Sequence, residues 1–488
     1  MDLKDERVPI SSEPIYRQIY EKYRSRILSG DLPGGTKLPS TRQISTELGV
    51  ARNSVISAFN QLAAEGYVIT EKGSGTYVRS SLPIDRSGQA NEYSLKEGMI
   101  SPWGSRVIDF GNQLSREDSK SRPTIDFGFG RSFPHIFPYE IWRRLLARYL
   151  STDDAMLSRY GSAAGFDPLR EAVAGYLQRM RGVNCTMDQV VIVSGMQQAL
   201  DILSRIFLKS GDDILVESPG YTEAYNLFRT FGANLHPVPV DEHGFPVELI
   251  PADCWPRFAF VTPSNQFPKG GTMPLSRRLA LLEWAGSVNA LILEDDYDGE
   301  LRYRDHPIAA LQGLDDQDRV IYLGTFSKVL FPALRLGYLV LPKPILPIFL
   351  KAKELVDRGA PTLTQAAVAD FINEGHFERH LKRLRKVYGL RRQTLTQALD
   401  RLLPSLVEYS PVQAGLHVML YLSRELDESE LTKAALSEGV GIYPGGPYHL
   451  HQQRRPSILL GYSGLSRSEI EEGVNKLAMV IHNVLGSQ

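Results

Sequence analysis

The sequence has few cysteines and no long uninterrupted apolar run, and both shortages exclude classes of protein. Its 488 residues contain two cysteines, Cys185 and Cys254, and neither stands in a C-x-x-C or histidine-rich setting. We therefore expect no disulfide scaffold and no metal site, and a reducing cytoplasm fits best. The most apolar stretch, 319–350, is interrupted by three cations, so it predicts core strands and turns and not a membrane span.

An excess of charge of either sign is missing as well. The net charge of −1 argues against a uniformly basic nucleic-acid coat but leaves room for a local basic face. The first 14 residues are charged and lack the apolar core of a signal peptide. We expect a cytoplasmic protein without a membrane partner. Its length is more than one ordinary core supports, so two or more domains are expected.

Three zones differ in composition. Residues 1–79 are dense in short helix signals and end in a glycine-rich hairpin, and residues 80–122, rich in Ser, Gly, Asn and charge, have the composition of a linker. From 123 to 488, helical stretches alternate with short apolar runs, as is typical of α/β folds. The clearest runs, each a predicted strand, are 190–194, 213–217, 258–262, 290–294, 320–323 and 336–341.

The first zone predicts three helices and a β-wing. Ser40 is a plausible N-cap for the second helix, with Gln43 three residues on as in a capping box. Two alternating runs, 66–69 and 75–78, flank a turn and predict the wing. Apolar residues at helical spacing mark the first helix (Ile15, Ile19, Tyr23, Ile27) and the third (Val55, Ala58, Phe59, Leu62).

The third helix presents a polar face of the kind that reads DNA bases. A helix fits the major groove, and its exposed first-turn side chains must be polar. Between residues 14 and 79, nine Lys/Arg stand against five Asp/Glu, a net charge of +4, which is the sign that DNA requires. A purely protein-binding role for this module remains an alternative. The candidate DNA contacts are Arg52, Asn53, Ser54 and Ser57 on the third helix, Arg42 on the second and Gly75 in the wing.

Residues 27–55, I-L-S-G-D-L-P-G-G-T-K-L-P-S-T-R-Q-I-S-T-E-L-G-V-A-R-N-S-V, and G-S-G-T-Y-V at 73–78 resemble the GntR family of winged-helix regulators. The similarity covers nearly the whole module. It implies that double-stranded promoter DNA is a partner, and that the protein is associated with the nucleoid when it is bound there.

A lysine just beyond a predicted strand marks the chemistry of the third zone. Lys328, in G-T-F-S-K, is flanked by small hydroxyl residues, as a Schiff-base lysine near a phosphate requires. Asp295 ends another predicted strand and suits a carboxylate that faces a pyridine nitrogen, and Tyr297 shares its strand face. Singly these signals are weak, because acidic strand ends are usually solvated and Ser-Lys is common. Their order along the chain carries the argument.

That order resembles the fold-type I aminotransferases. The further motifs are Y-G-S-A-A-G-F-D-P-L-R at 160–170, S-G-M-Q-Q-A-L at 194–200, E-S-P-G-Y at 217–221, T-P-S-N-Q-F-P-K-G-G at 262–271 and L-R-L-G-Y at 334–338. The resemblance implies an α/β domain with a mixed, mostly parallel sheet, a smaller C-terminal α+β subdomain, and pyridoxal 5′-phosphate (PLP) as cofactor.

The resemblance also implies roles for single residues. Lys328 would form the aldimine, Asp295 would pair with the pyridine nitrogen, and Tyr297 and Asn265 would lie at the phenolic oxygen. Tyr221 would stack on the ring, and Tyr160 would reach the phosphate of a neighbouring subunit, which makes a homodimer the expected assembly. The residues expected around the phosphate are Ser194, Gly195, Met196, Thr325, Ser327 and Arg335.

Two arginines near the C-terminus have two open interpretations. In amino-acid aminotransferases an arginine just before the last core strand binds the substrate carboxylate. Here Arg454 and Arg455 precede such a run without being clearly in register, so they are candidates for effector binding or solvated turn charges.

The fusion of the two zones resembles the MocR/GabR subfamily of GntR-type regulators. It implies a PLP-dependent regulator in which an amine, amino acid or dipeptide effector forms an aldimine with PLP at Lys328 and alters promoter binding, with little or no net turnover. Two alternatives stay open: a working aminotransferase with an appended DNA-binding domain, and a regulator that senses PLP itself.

Overall fold

The computed structural model describes residues 13–71, 73–80, 98–114, 123–131, 136–150, 158–303, 308–410, 414–450 and 455–486. Two compact units divide at Met99 and Ile100, inside the segment predicted as a linker. None of the helices in these ranges is both long and apolar enough to cross a bilayer.

The first unit has the three helices and the hairpin that the sequence predicts. Ser40 Oγ accepts a hydrogen bond from Gln43 N at 3.2 Å and caps the second helix. Ile15 is 45% exposed, and Tyr20 is buried in addition to the predicted apolar face. The elements are α1 (Ile15–Leu28), α2 (Thr41–Leu48), α3 (Arg52–Ala64) and the antiparallel strands β1 (Val68–Glu71) and β2 (Gly75–Val78).

The second unit alternates helices and strands. Its helices are α4 (Pro102–Leu114), α5 (Tyr139–Leu150), α6 (Asp167–Arg181), α7 (Met196–Phe207), α8 (Thr222–Thr230), α9 (Leu275–Val288), α10 (Leu346–Asp357), α11 (Thr362–Asn373), α12 (His376–Leu402), α13 (Glu428–Ser437) and α14 (Arg467–Gly486). Its strands are β3 (Ile125–Asp126), β4 (Val190–Val193), β5 (Asp213–Ser218), β6 (Asn234–Pro239), β7 (Phe258–Val261), β8 (Leu291–Asp296), β9 (Val320–Thr325), β10 (Gly337–Val340), β11 (Val407–Tyr409), β12 (His417–Leu422), β13 (Val440–Gly441), β14 (Tyr443–Pro444) and β15 (Ser457–Gly461).

Seven of these strands form the central sheet, in the order β4-β10-β9-β8-β7-β5-β6. The five strands from β9 to β6 are mutually parallel, and β10 is antiparallel to both of its neighbours. This is the mixed, mostly parallel sheet that the sequence predicts. Because parallel strands end at one edge of a sheet, the residues that follow β5, β7, β8 and β9 meet there.

A four-stranded antiparallel sheet, β11-β12-β15-β14, forms the smaller C-terminal subdomain. The segment around Phe127 is bonded to it: Phe127 N donates to Gly441 O at 2.9 Å, and Gly461 N donates to Phe127 O at 2.7 Å. Ser463 Oγ also donates to Arg131 O at 2.6 Å. The chain from 125 to 131 therefore belongs to the subdomain by its hydrogen bonds, although it precedes the central sheet in sequence.

The segment predicted as a linker contains a helix, α4. Arg106 Nε donates to Thr230 O at 2.6 Å, and the Trp103 and Phe231 rings lie 6.5 Å apart, so α4 packs at the end of α8. Pro102 reads as a helix breaker in the sequence, but it is the first residue of α4, where a missing N–H costs nothing.

Candidate functional site

A cavity lies at the edge of the central sheet where the parallel strands end. It brings together nine of the residues predicted for a cofactor: Gly195, Met196, Tyr221, Asp295, Tyr297, Thr325, Ser327, Lys328 and Arg335. Phe129, Gln197 and Phe267 also line it, and the sequence analysis did not single out these three.

Lys328 follows β9 and points its amine into this cavity. Burial lowers the pKa of the amine, although Asp295 opposes that shift. Lys328 Nζ lies 4.2 Å from the centroid of the Phe129 ring, and a Cβ built on Gly130 would come within 2.5 Å of Nζ. Burial thus shifts the amine towards its neutral, nucleophilic form, while Asp295 and the face of the Phe129 ring favour the charged form.

Asp295, at the end of β8, is 5% exposed. Its Oδ1 is buried and has no hydrogen-bond partner among the described residues. Burial, reinforced by Asp296, raises the pKa of Asp295 to about 8, and Lys328 lowers it. A buried carboxylate oxygen without a partner is costly. A protonated pyridine nitrogen would supply the missing donor, so this position fits PLP.

The phosphate end of the cavity is built around Gly195, which precedes the first turn of α7. Gly195 has φ +118°, and a Cβ there would lie 3.2 Å from a guanidinium nitrogen of Arg335. On the far side, Ser327 N donates to Thr325 Oγ1 at 3.1 Å. A helix N-terminus, a guanidinium and hydroxyl groups around one cradle suit a phosphate dianion. Ser194 lies just before this cradle and does not line it.

Asn265 joins Tyr297 to a buried carboxyl that the sequence analysis did not identify, Asp298. Asn265 Nδ2 donates to Tyr297 Oη at 3.2 Å and to Asp298 Oδ2 at 2.8 Å. Asp298 is 2% exposed, and burial raises its pKa well above the usual range. Asn265 therefore reaches the predicted phenolic-oxygen position through the Tyr297 hydroxyl. The only signal for Asp298 was its place in the run E-D-D-Y-D.

One side of the cavity is aromatic, because Phe129 and Phe267 line it. The aromatic wall comprises these two rings and the His417 and Tyr448 rings packed against them: the Phe129 ring lies 5.0 Å from Phe267 and 4.9 Å from His417, and Phe267 lies 5.5 Å from Tyr448. His417 Nε2 lies 3.0 Å from Pro268 O, and burial lowers the pKa of His417 to about 4. The wall therefore carries no charge near neutral pH.

A buried ion pair between Arg181 and Asp296 holds the end of β8 in place. Arg181 and Asp296 have side chains that are each 1% exposed, with Arg181 NH2 2.7 Å from Asp296 Oδ2. Arg181 NH2 also donates to Ser264 Oγ at 2.8 Å, next to Asn265. Tyr322 Oη donates to Asp296 Oδ2 at 2.6 Å. The pair links α6, β8 and the loop after β7.

The structure does not bring Arg455 into the cavity. Its Nε donates to Leu422 O at 2.8 Å, and its guanidinium pairs with Glu408 at 2.7 Å. Arg455 lies before the start of β15, and these contacts hold it at the outer edge of the small sheet. Its role as an effector ligand stays a prediction, and so does the alternative of a turn charge. Arg454 lies outside the described residues.

Tyr160 also lies away from the cavity lining. Its side chain is 83% exposed, and the Arg358 guanidinium carbon lies 5.6 Å from its ring centroid. A role at the site of a neighbouring subunit stays a prediction.

The stability of the cofactor-free protein is expected to fall between about pH 4 and pH 8. Burial raises the pKa of Glu217 and Glu294 to about 7 and that of Asp295 to about 8. Each folded-state pKa is above its unfolded value, so the folded state holds more protons and loses stability as pH rises. Urea midpoints at about pH 5 and about pH 8 measure this. Asp295→Asn should reduce the change in the urea midpoint between the two pH values. A midpoint of the wild-type protein that rises with pH would contradict the prediction.

The first unit presents the predicted DNA contacts on its surface. Arg42, Arg52, Asn53 and Ser57 are exposed and Ser54 is half-buried. Within the described part of the chain, the side chains of Arg42 and Arg52 have no protein partner. In the wing, a Cβ on Gly75 would lie 2.8 Å from Lys37 Cε, and exposed Lys37 lies 5.6 Å from the Tyr77 ring centroid. Lys37 is a second cation on this surface, and the sequence analysis did not assign it a role.

Replacing Arg52 with alanine is expected to weaken specific DNA binding by about 1–3 kcal/mol, because it removes a base-edge donor. Fluorescence anisotropy with a duplex that the wild-type protein has selected from a random library measures the change. Arg17→Ala, which removes an exposed cation from α1, is the matched control. Unchanged affinity and unchanged sequence preference would exclude Arg52 from base reading.

Two family models match this chain. Residues 15–78 match "Bacterial regulatory proteins, gntR family", and residues 133–477 match "Aminotransferase class I and II". The two matches cover the two units separately.

Known proteins of both kinds are similar to it. A probable rhizopine catabolism regulatory protein, MocR, from Rhizobium meliloti is 38% identical over 95% of this chain and 93% of its own length. The pyridoxine biosynthesis transcriptional regulator PdxR from Corynebacterium glutamicum is 32% identical over 89% and 90%. The crystal structure of LysN, an α-aminoadipate aminotransferase from Thermus thermophilus complexed with a phosphopyridoxyl-leucine, has 33% identity and a TM-score of 0.70 over 75% of this chain and 93% of that one.

Proposed function

This chain belongs to the gntR family of bacterial regulatory proteins, in the MocR/GabR subfamily that carries a class I and II aminotransferase domain, and from that membership we propose how its two units act together. The protein is a PLP-dependent, DNA-binding transcription regulator. We propose that a primary amine is its effector, that the amine binds at the cofactor held by Lys328, and that this binding changes the affinity of the first unit for promoter DNA.

In this proposal different residues of the cavity bind different parts of PLP. Asp295 holds a proton on the pyridine nitrogen, Tyr297 donates to the phenolic oxygen, and Gly195, Thr325 and Arg335 bind the phosphate. PLP supplies an aldehyde carbon that bonds to an amine nitrogen. Bound PLP would hold either Lys328 Nζ or the effector nitrogen on that carbon, with Lys328 present as the free amine in the second case, and an exchange of one amine for the other would need no oxidant or reductant.

The observation that carries the proposal is Asp295 Oδ1, a buried oxygen with no partner in the described residues, facing the same cavity as Lys328. Such an arrangement is costly without a bound group. In the same chain, Arg42 and Arg52 stand exposed on a gntR module. An effector can shift DNA affinity only if it binds two states of the protein unequally, and the release of Lys328 is the local difference.

Several further parts of the function are proposals of the same kind. Double-stranded promoter DNA in the bacterial cytoplasm is the macromolecular partner. The assembly is a homodimer, in which exposed Tyr160 serves the site of the neighbouring subunit and two reading helices contact two half-sites.

The test uses full-length protein loaded with PLP and a duplex selected by that protein from a random library. Absorbance and DNA anisotropy are followed together as primary amines are added. We expect one class of amine to change both signals, and Lys328→Arg, which keeps the charge but offers no comparable exchange, to leave the DNA signal unresponsive. Steady conversion of the amine on addition of a keto acid would instead make turnover the main function.

A further inference from the structure

Among the described residues, the cofactor cavity has no basic side chain left over for the carboxylate of an entering effector. Of those that line it, only Lys328 and Arg335 have basic side chains. In the proposed function Arg335 binds the cofactor phosphate, and Lys328 is attached to the cofactor carbon until the effector amine releases it. An effector that enters beside the cofactor therefore meets no unused guanidinium or ammonium group in the part of the cavity that the structure describes.

The part of the small subdomain that packs against the cavity lining is apolar. Leu459, in the middle of β15, is 1% exposed and packs in one cluster with Met419 and with Phe267 and Tyr297, two residues that line the cavity. It pairs with Met419 on one neighbouring strand and with Tyr443 on the other. The middle of β15 thus places a leucine, and no cation, next to the cavity lining.

The nearby cations lie outside the lining of the cofactor cavity. The Arg131 guanidinium forms an ion pair with Asp126, and Arg455 pairs with Glu408. Lys269 and Arg392 line a separate, smaller cavity, where Lys269 donates to Val240 O at 3.0 Å. Arg392 donates through NH2 to Ser410 O at 2.8 Å, and its Nε has no partner among the described residues.

The aromatic wall does not supply a charge either. Its only titratable ring near neutrality belongs to His417, whose pKa burial lowers to about 4, so the imidazole is neutral. An ionised carboxylate placed against these rings would lose its water without gaining a partner. An aromatic or aliphatic body would instead gain contact area with Phe129 and Phe267, which line the cavity.

We propose that the effector is a primary amine with an aromatic or aliphatic body and no carboxylate on the carbon that bears the amine. This inference rests on the proposed function, because it names the class of amine that binds at that site.

Two ligand pairs test the inference on full-length, PLP-loaded protein. Phenethylamine is compared with L-phenylalanine, and tyramine with L-tyrosine, since the members of each pair differ only by the carboxylate. Affinity is measured by the change in cofactor absorbance and, independently, by DNA anisotropy. We expect each amine to bind at least about tenfold more tightly than its amino acid.

Leu459→Arg provides the reciprocal test, because it places a guanidinium next to Phe267 and Tyr297 of the cavity lining. In this variant we expect the preference within each pair to narrow or reverse. Leu459→Met, which keeps an apolar side chain of similar volume, is the matched control and should keep the wild-type preference. Cofactor absorbance and a melting temperature equal to those of the wild-type protein check that both variants fold. If Leu459→Arg does not fold, the comparison of amines with amino acids on the wild-type protein tests the inference alone.

Three outcomes are distinct. Tighter binding of the amines supports the inference. Equal or tighter binding of the amino acids overturns it and leaves the proposed function standing. If no amine changes the absorbance while borohydride still fixes PLP to Lys328, the proposed exchange itself fails, and the inference fails with it.

Discussion

Replacing Lys328 with alanine is expected to abolish covalent attachment of PLP completely. No other lysine lines the cavity among the described residues, so the variant has no amine there to take over the role. Absorbance of the lysine-bound cofactor should disappear, and borohydride should fix no cofactor to the chain, as read by mass spectrometry. The fold should persist, because Lys328 is not part of the apolar core.

Lys269→Ala is the matched control, because Lys269 is a half-buried lysine of a neighbouring cavity. It should retain both signals. If borohydride still fixes PLP to the Lys328→Ala variant, the attachment site lies elsewhere.

Replacing Arg181 with methionine is expected to destabilise the second unit by about 3–5 kcal/mol, because it leaves Asp296 buried without its cation. Asp296 would keep the Tyr322 hydroxyl as a donor, but a single neutral donor does not compensate a buried charge. Urea unfolding of the cofactor-free protein, followed by the fluorescence of the second unit, measures the loss.

Arg205→Met is the control for Arg181. It breaks an ion pair with Asp201 on the surface of α7, where the Arg205 side chain is 52% exposed, and it should cost no more than about 1 kcal/mol. Equal losses of unfolding free energy in the two variants would show that the buried Arg181 pair stabilises the protein no more than a surface ion pair does.

Hydrophobic runs in the sequence predicted six of the seven strands of the central sheet, and there is a physical reason why the seventh was missed. The six apolar runs predicted as strands correspond to β4, β5, β7, β8, β9 and β10. The seventh strand, β6, was missed because Asn234–Pro239 contains two prolines and a histidine. It is an edge strand, where prolines are tolerated because one side of the backbone needs no partner.

In the candidate site, too, some residues could be predicted from the sequence and others could not. Lys328, Asp295 and Arg335 were predictable because each stands next to a strand that the sequence reveals. Phe129 and His417 were not, because they come from segments that precede and follow the central sheet, and only the tertiary fold brings them to Lys328. The sequence left the role of Arg455 open, because its distance along the chain from β15 does not reveal which way its side chain turns.

The segment that carries Phe129 connects the cavity to the small subdomain. Phe129 is tied through Phe127 and Arg131 to the small subdomain, whereas Lys328 follows the end of β9 in the central sheet. The 4.2 Å between the amine and the ring centroid therefore joins the central sheet to the small subdomain within one compact unit. A ligand placed between the amine and the ring would contact residues held by both sheets.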